Sequence, residues 1–226
     1  MISSFQFRER SHKNVLAFIG GIVPGEVVRG HLYFDEEHAA KLSEKRVVHF
    51  FIFRDPRDIV VSEAHYLREM NRWHRLAPYF RKLDSIEEAI LLSINGLKPP
   101  VAGIDYPNVA ARFARYDGWL LRDDCMSLRF EDLRSEKQAS IIQQMATFYA
   151  RQSNGSLDIA TCAKAMEAHL DPHKSHTFRS GKKAGWQREF TAEHRRRMVE
   201  VAGDLLIQLG YEPNHDWATA PVASSA

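Results

Sequence analysis

The sequence predicts an α/β protein, a layered fold in which helices flank a mainly parallel sheet. Three observations lead there. The run Val47-Val48-His49-Phe50-Phe51-Ile52-Phe53 is almost unbroken in apolar and aromatic residues, the pattern of a strand covered on both faces. A helical segment follows it from Pro56, where proline's fixed φ and missing N–H suit a first turn. The same strand–loop–helix order returns at Cys125-Met126-Ser127-Leu128-Arg129-Phe130, with Glu131-Asp132-Leu133 and a helix from about Ser135 to Tyr149 behind it. In such folds ligands bind beyond the carboxyl ends of the strands, which puts the polar loops after Phe53 and Phe130 at the functional rim.

The remaining elements follow in chain order. The stretch to Ser11 is polar and aperiodic, and Val15–Ile19, running into Gly20-Gly21, fits a short helix or a strand equally. Val27-Val28-Arg29-Gly30-His31-Leu32 is a compact β-branched segment and predicts a strand leading to a loop. Ser85 and Glu88 make a capping-box pattern ahead of Ala89-Ile90-Leu91-Leu92, so a helix runs from there to Gly96 and the Pro99-Pro100 breaker. Val101 to Trp119 shows no clear period. A further helix is expected between Leu157 and His169, then a basic loop from His173 to Arg188, then a last helix begun by Thr191 and ended by Gly210. Within that helix His194-Arg195-Arg196-Arg197 reads as a solvated face, with Met198, Val201, Leu205 and Leu206 pointing inward. The tail from Ala218 is small and polar and is expected to be disordered. With no repeat and no second boundary, one domain over 1–217 is expected.

Bulk properties narrow the function. A chain of 226 residues, 44 % hydrophobic, buries a real core, and a formal charge of +2 argues against a polyanion-coating or membrane-surface protein. Cys125 and Cys162 have no metal-ligand spacing and make no disulfide framework; they read as buried free thiols in a reducing compartment. No apolar run reaches bilayer length and the first residues lack a secretion h-region, so a cytoplasmic protein without nucleic-acid or membrane partners, and without a metal, is expected.

Chemistry concentrates after the first predicted strand. Arg54-Asp55-Pro56-Arg57-Asp58 sets two guanidinium groups beside a strand end and a helix N-terminus, where backbone N–H groups and a fork of donors can bind phosphate; Ser62 lies two turns on. By spacing alone, a surface cluster in which Arg54 and Arg57 pair with Asp55 and Asp58 is as good a reading. The whole stretch from Phe51 to Tyr66, however, closely resembles the 3′-phosphate-binding motif of sulfotransferases that use 3′-phosphoadenosine 5′-phosphosulfate (PAPS), in which the first Arg and the later Ser contact that phosphate. A second family signature, Arg-Lys-Gly followed by Gly-Asp-Trp and Phe-Thr, is similar to Phe178-Arg179-Ser180-Gly181-Lys182-Lys183-Ala184-Gly185-Trp186 and Phe190-Thr191, with Ser180 where Lys is usual. Arg29-Gly30-His31-Leu32 resembles the segment that supplies the family's catalytic base, with Tyr33 in place of proline. The resemblance spans about Gly30 to Glu212.

The resemblance implies a P-loop NTPase-like fold, PAPS as co-substrate, Arg54, Ser62, Arg179, Ser180 and Gly181 as its binding residues, His31 as the base, and a small acceptor with a hydroxyl or amine. Phe130 stands where many relatives have Tyr and reads as core packing, and Thr161 falls near the family's adenine contact or is merely exposed helix. The glycine- and serine-rich loop with a lysine, which holds the 5′-phosphosulfate in the family, has no counterpart before His31: Gly20-Gly21-Ile22-Val23-Pro24-Gly25 has glycines but no suitable Lys or hydroxyl. The fold is therefore expected to miss the family's first strand and phosphate loop, with catalysis impaired, and a non-catalytic remnant that binds 3′-phosphoadenosine is the competing expectation.

Overall fold

A computed structural model describes residues 4–5, 8–98, 103–153, 157–170 and 185–219. In chain order these form two short strands, β1 (Ser4–Phe5) and β2 (Arg8–Glu9), helices α1 (His12–Gly20) and α2 (Glu36–Glu44), strand β3 (His49–Phe53), helices α3 (Pro56–His65), α4 (Ala77–Arg81), α5 (Ile86–Asn95) and α6 (Val109–Phe113), strand β4 (Cys125–Arg129), and helices α7 (Gln138–Gln152), α8 (Ile159–Ala168), α9 (Trp186–Glu189) and α10 (Ala192–Gln208). A π-helical turn, Tyr66–Met70, continues α3. The protein is thus mixed helix and sheet, helix predominating, with β3 and β4 paired in parallel from His49↔Cys125 to Phe53↔Arg129.

Local chemistry explains most helix starts. Asp55 caps α3 by accepting the Arg57 N–H, and Pro56 follows at the first turn. Ser85 caps α5 by accepting the Glu88 N–H at 3.2 Å, while the Glu88 carboxylate turns back to the Asp84 N–H at 2.9 Å. α5 stops at Gly96, whose φ of 72° and whose missing Cβ, which would fall 2.3 Å from the Pro107 carbonyl carbon, leave room for glycine only. Val15–Ile19, ambiguous in sequence, is helical because Ser11 caps it.

Three expectations change. Val27–Leu32 is not a strand: Val27 is 88 % exposed, and Leu32 is held instead by its carbonyl, which accepts the Trp119 Nε1–H at 2.9 Å. β-branched residues without a ladder partner do not make a strand. β3 is covered on both faces only in part. Phe50 meets Phe148 of α7 at 5.6 Å, and Phe51 meets Tyr116 on the opposite face, but Ile52 is 53 % exposed. In α10 the inward Met198 and Leu206 are as expected, yet His194 and Arg195 are buried with them rather than solvated. His194 closes a capping box with Thr191 by accepting the Thr191 N–H on Nδ1, and its Nε2–H donates to the Glu87 carbonyl at 2.8 Å.

The packing divides into two compact units, each assembled from discontinuous segments. Unit 1 comprises Met1–Phe5, Glu9–Arg54 and Arg115–Phe178; unit 2 comprises Gln6–Arg8, Asp55–Ala114 and Arg179–Ala226. Unit 1 holds the parallel pair, a cluster of Val15, Ile19, Leu32, Ala39, Leu42, Trp119 and Cys125, and a smaller cluster where α7 meets α8. Unit 2 is helical around one larger core, with α3 and α5 packed together and Phe80, Ile90, Met198 and Leu206 fully buried.

Candidate functional site

The signature residues sort into two groups. Arg57 belongs to the first: it is not on the surface but 3 % exposed in unit 2. Its Nε–H donates to both Asp55 oxygens at 3.0 and 3.2 Å, Nη2–H donates to Asp55 Oδ2 at 2.8 Å, and Nη1–H donates to Glu212. The guanidinium also lies over the rings of Trp186 and Trp217, at 4.0 and 4.8 Å from their centroids. Burial opposes its charge, but the hydrogen bonds and attraction of Asp55 and Glu212 outweigh this and raise its pKa above the ordinary arginine value. Arg195 sits over the same Trp186 ring at 5.2 Å, and burial, then the Arg57 charge, lowers its pKa. The alternative reading of a surface charge cluster is corrected in one respect: Arg57 does pair with Asp55, but in a buried node that also takes in Glu212.

Further along α3 the pattern repeats. Asp58 Oδ1 accepts the backbone N–H of Trp186 at 3.0 Å, so Trp186, within the second signature, is fixed to the first turn of the helix that carries Ser62. Glu63 Oε2 accepts from the Ser93 and Tyr106 hydroxyls at 2.6 Å each and from Arg112 Nη2–H at 3.0 Å, joining α3 to α5 and α6. Burial, first of all, holds the Tyr106 hydroxyl well above its usual pKa, so it stays a donor. His65 Nε2 pairs with Glu189 at 2.5 Å.

The predicted site residues form the second group. Arg54 closes β3 in unit 1, half-buried, its guanidinium 5.0 Å from the centroid of the Phe130 ring. Phe130, expected in the core, is half-buried instead and is a platform for Arg54, and its N–H extends the ladder by donating to the Phe53 carbonyl at 2.8 Å. Ser62 stands on α3 in unit 2, half-buried, and among the described residues its hydroxyl makes no hydrogen bond. His31 is exposed in the irregular segment before α2. Arg179, Ser180 and Gly181 lie outside the described residues. Thr161 is an exposed first-turn residue of α8, its N–H and hydroxyl both given to the capping Asp158. Among the tryptophans, Trp119 is core at 1 % exposure and Trp73 is 79 % exposed.

Sequence reasoning passed over His49. It lines a cavity of about 180 Å³ in unit 1 with Arg46, Trp119, Asp124 and Arg151. Burial lowers its pKa to about 4, against a smaller opposing pull from Asp124, and its Nδ1 is buried without a hydrogen-bond partner. The signal was available: His49 is the one polar residue in an otherwise apolar run. In the same unit, burial pushes the Cys125 thiol up to about 12, which makes it an inert core thiol, as expected.

No protein-family model, no curated protein and no solved structure matches this chain. Among the described residues, no helix is long and apolar enough to cross a membrane.

Proposed function

We propose that the chain is a PAPS-dependent sulfotransferase-like protein whose 3′-phosphate site is formed by Arg54 and Ser62 with Arg179, Ser180 and Gly181. One observation carries the reading. On α3 the other polar side chains of the signature, Asp55, Arg57, Asp58, Glu63 and His65, are committed to partners inside unit 2, whereas the Ser62 hydroxyl is not. Two neighbouring facts support it: Trp186 of the second signature is bonded to the start of that same helix, and the Arg54 guanidinium lies near the Phe130 ring. A guanidinium fork and a hydroxyl donor fit a phosphate dianion.

PAPS would supply an activated sulfuryl group, transferred to a hydroxyl or amine with cleavage of the bond to the 5′-phosphate. The chain's own part is to hold the 3′-phosphate and to remove a proton. His31 takes the acceptor's proton as the new bond to sulfur forms, a role that imidazole serves in general acid–base catalysis.

A second reading has its own support. Gly20-Gly21 ends α1, and the Gly21 N–H donates back to the Ala17 and Phe18 carbonyls at 3.1 Å, so this glycine pair caps a helix rather than cradling an anion. That favours binding of the 3′-phosphoadenosine end without turnover. Calorimetric titration with 3′-phosphoadenosine 5′-phosphate tests both readings. The wild type is expected to bind, Arg54→Ala to weaken binding about 10–100-fold, and Ser62→Ala about fivefold, the worth of charged and neutral hydrogen bonds. No binding by the folded wild type overturns the nucleotide site. Binding with turnover of PAPS that is lost in His31→Ala supports the enzyme, and binding without turnover supports the remnant.

A further inference from the structure

A second polar cluster in unit 1 belongs to neither signature. α1 and α2 share a core through Val15, Ile19, Ala39 and Leu42, and near their N-terminal ends one ligand atom from each of His12, Asp35 and His38 lies within 4.8 Å of the other two. Sequence order explains the meeting: His12 is the first residue of α1, Asp35 caps α2, and His38 is in the first turn of α2. The two imidazoles stack with centroids 4.8 Å apart and planes 22° apart.

The hydrogen bonds decide which atoms are left over. His12 Nε2–H donates to Glu37 Oε2 at 2.9 Å, which in the neutral imidazole leaves Nδ1 as a lone pair; that nitrogen faces Asp35 Oδ2 at 3.9 Å. His38 Nδ1–H donates to the Tyr33 carbonyl at 3.3 Å, which leaves Nε2 as a lone pair. His38 is only 5 % exposed, and its Nε2 is buried without a hydrogen-bond partner. Asp35 Oδ1 is taken by the Glu37 and His38 N–H groups, leaving Oδ2. Two imidazole lone pairs and one carboxylate oxygen are acceptors with no donor between them, an arrangement that a cation completes. Glu37 on the far nitrogen of His12 and the Tyr33 carbonyl on the far nitrogen of His38 are the outer partners that fix the tautomer of a ligating histidine and raise its basicity.

We propose that His12, Asp35 and His38 bind one late first-row divalent cation, Zn²⁺ foremost, clipping α1 to α2. Two imidazoles and a carboxylate are a borderline set that suits zinc or cobalt better than magnesium or calcium. Tetrahedral coordination needs ligand atoms roughly 3.3 Å apart, given metal bonds of about 2.0–2.2 Å. His12 and Asp35, with side chains 44 % and 41 % exposed, are free to close the difference against the buried His38. Their exposure also leaves a fourth position open to water or to a further ligand.

The test uses the full chain, stripped with a chelator and titrated with Co²⁺ and then Zn²⁺. The expected result is a visible Co²⁺ band that saturates at about one ion per chain, is abolished by Zn²⁺, and accompanies a Zn²⁺-dependent rise in thermal midpoint. His12→Asn and Asp35→Asn are each expected to weaken Co²⁺ about tenfold or more, with far-UV circular dichroism unchanged, since asparagine caps a helix as aspartate does. His215→Asn, which removes an imidazole from an exposed pair with Asp204, serves as the control and is expected to bind as the wild type does. Absence of a saturable one-to-one band, or equal Co²⁺ affinity in His12→Asn, overturns the site.

Discussion

The two units bury charge to different extents, although each keeps some buried polar atoms without a hydrogen-bond partner, Arg75 Nη1, Arg195 Nε and Trp217 Nε1 in unit 2 among them. Among the described residues every buried polar or charged side chain except His38 belongs to unit 2, where Arg57 pairs with both Asp55 and Glu212 and Asp58 is matched to a backbone N–H. Unit 1 buries little charge, yet it contains two imidazoles, His38 and His49, each with a ring nitrogen lacking a hydrogen-bond partner. A buried polar group satisfied from several sides is architecture. One that stays unmatched costs stability, and so points to a ligand or a pH response. By this criterion much of the charge in the first signature holds unit 2 together, while the Ser62 hydroxyl makes no hydrogen bond among the described residues.

The sharpest way to break this contrast is Arg57→Ala. Removing the guanidinium leaves Asp55 and Glu212 without their common partner in a site floored by Trp186 and Trp217, and a loss of about 3–5 kcal/mol in urea unfolding is expected. A loss below about 1 kcal/mol would show that the node is no more than a surface pair. Unit 1 should respond to acid instead. Since burial holds His49 near 4 rather than 6.5, the unfolded chain takes up the proton first, so stability is full above about pH 6.5 and declines as pH falls toward 4. That contribution reaches up to about 3 kcal/mol, and His49→Phe should flatten it; an unchanged pH slope in the variant would assign the acid response elsewhere.

Smaller effects refine the picture. Asp58→Ala strands the Trp186 N–H and should cost about 1–3 kcal/mol, whereas Asp58→Asn, which keeps an acceptor oxygen, should cost less. If the two variants unfold alike, the charge at the helix N-terminus matters and the hydrogen bond does not. Ile52→Thr, on the uncovered part of β3, should change stability by less than about 0.5 kcal/mol, because an already exposed side chain has little burial to lose. A larger loss would mean that this face of the strand is covered.

What could be read from the chain was what local chemistry decides. β3 and β4, the cap and proline of α3, the Ser85 start and Gly96 stop of α5 and the Thr191 start of α10 each depend on residues within a turn or on one apolar run. The expectation at Arg54 and Ser62 came from a family resemblance and not from spacing, which by itself left a plain charge cluster equally open. Val27–Leu32 escaped because strand propensity means nothing without a neighbouring ladder, and His194 and Arg195 escaped because a charged run on a helix looks solvated until its packing partners are known. Only the tertiary structure decided which charges are buried. Arg57 and Glu212 are 155 positions apart, and His12 and Asp35 meet only once α1 lies on α2. The capping of a helix is settled within a few residues, whereas the partner of a charge is settled by whichever distant segment the apolar core brings against it.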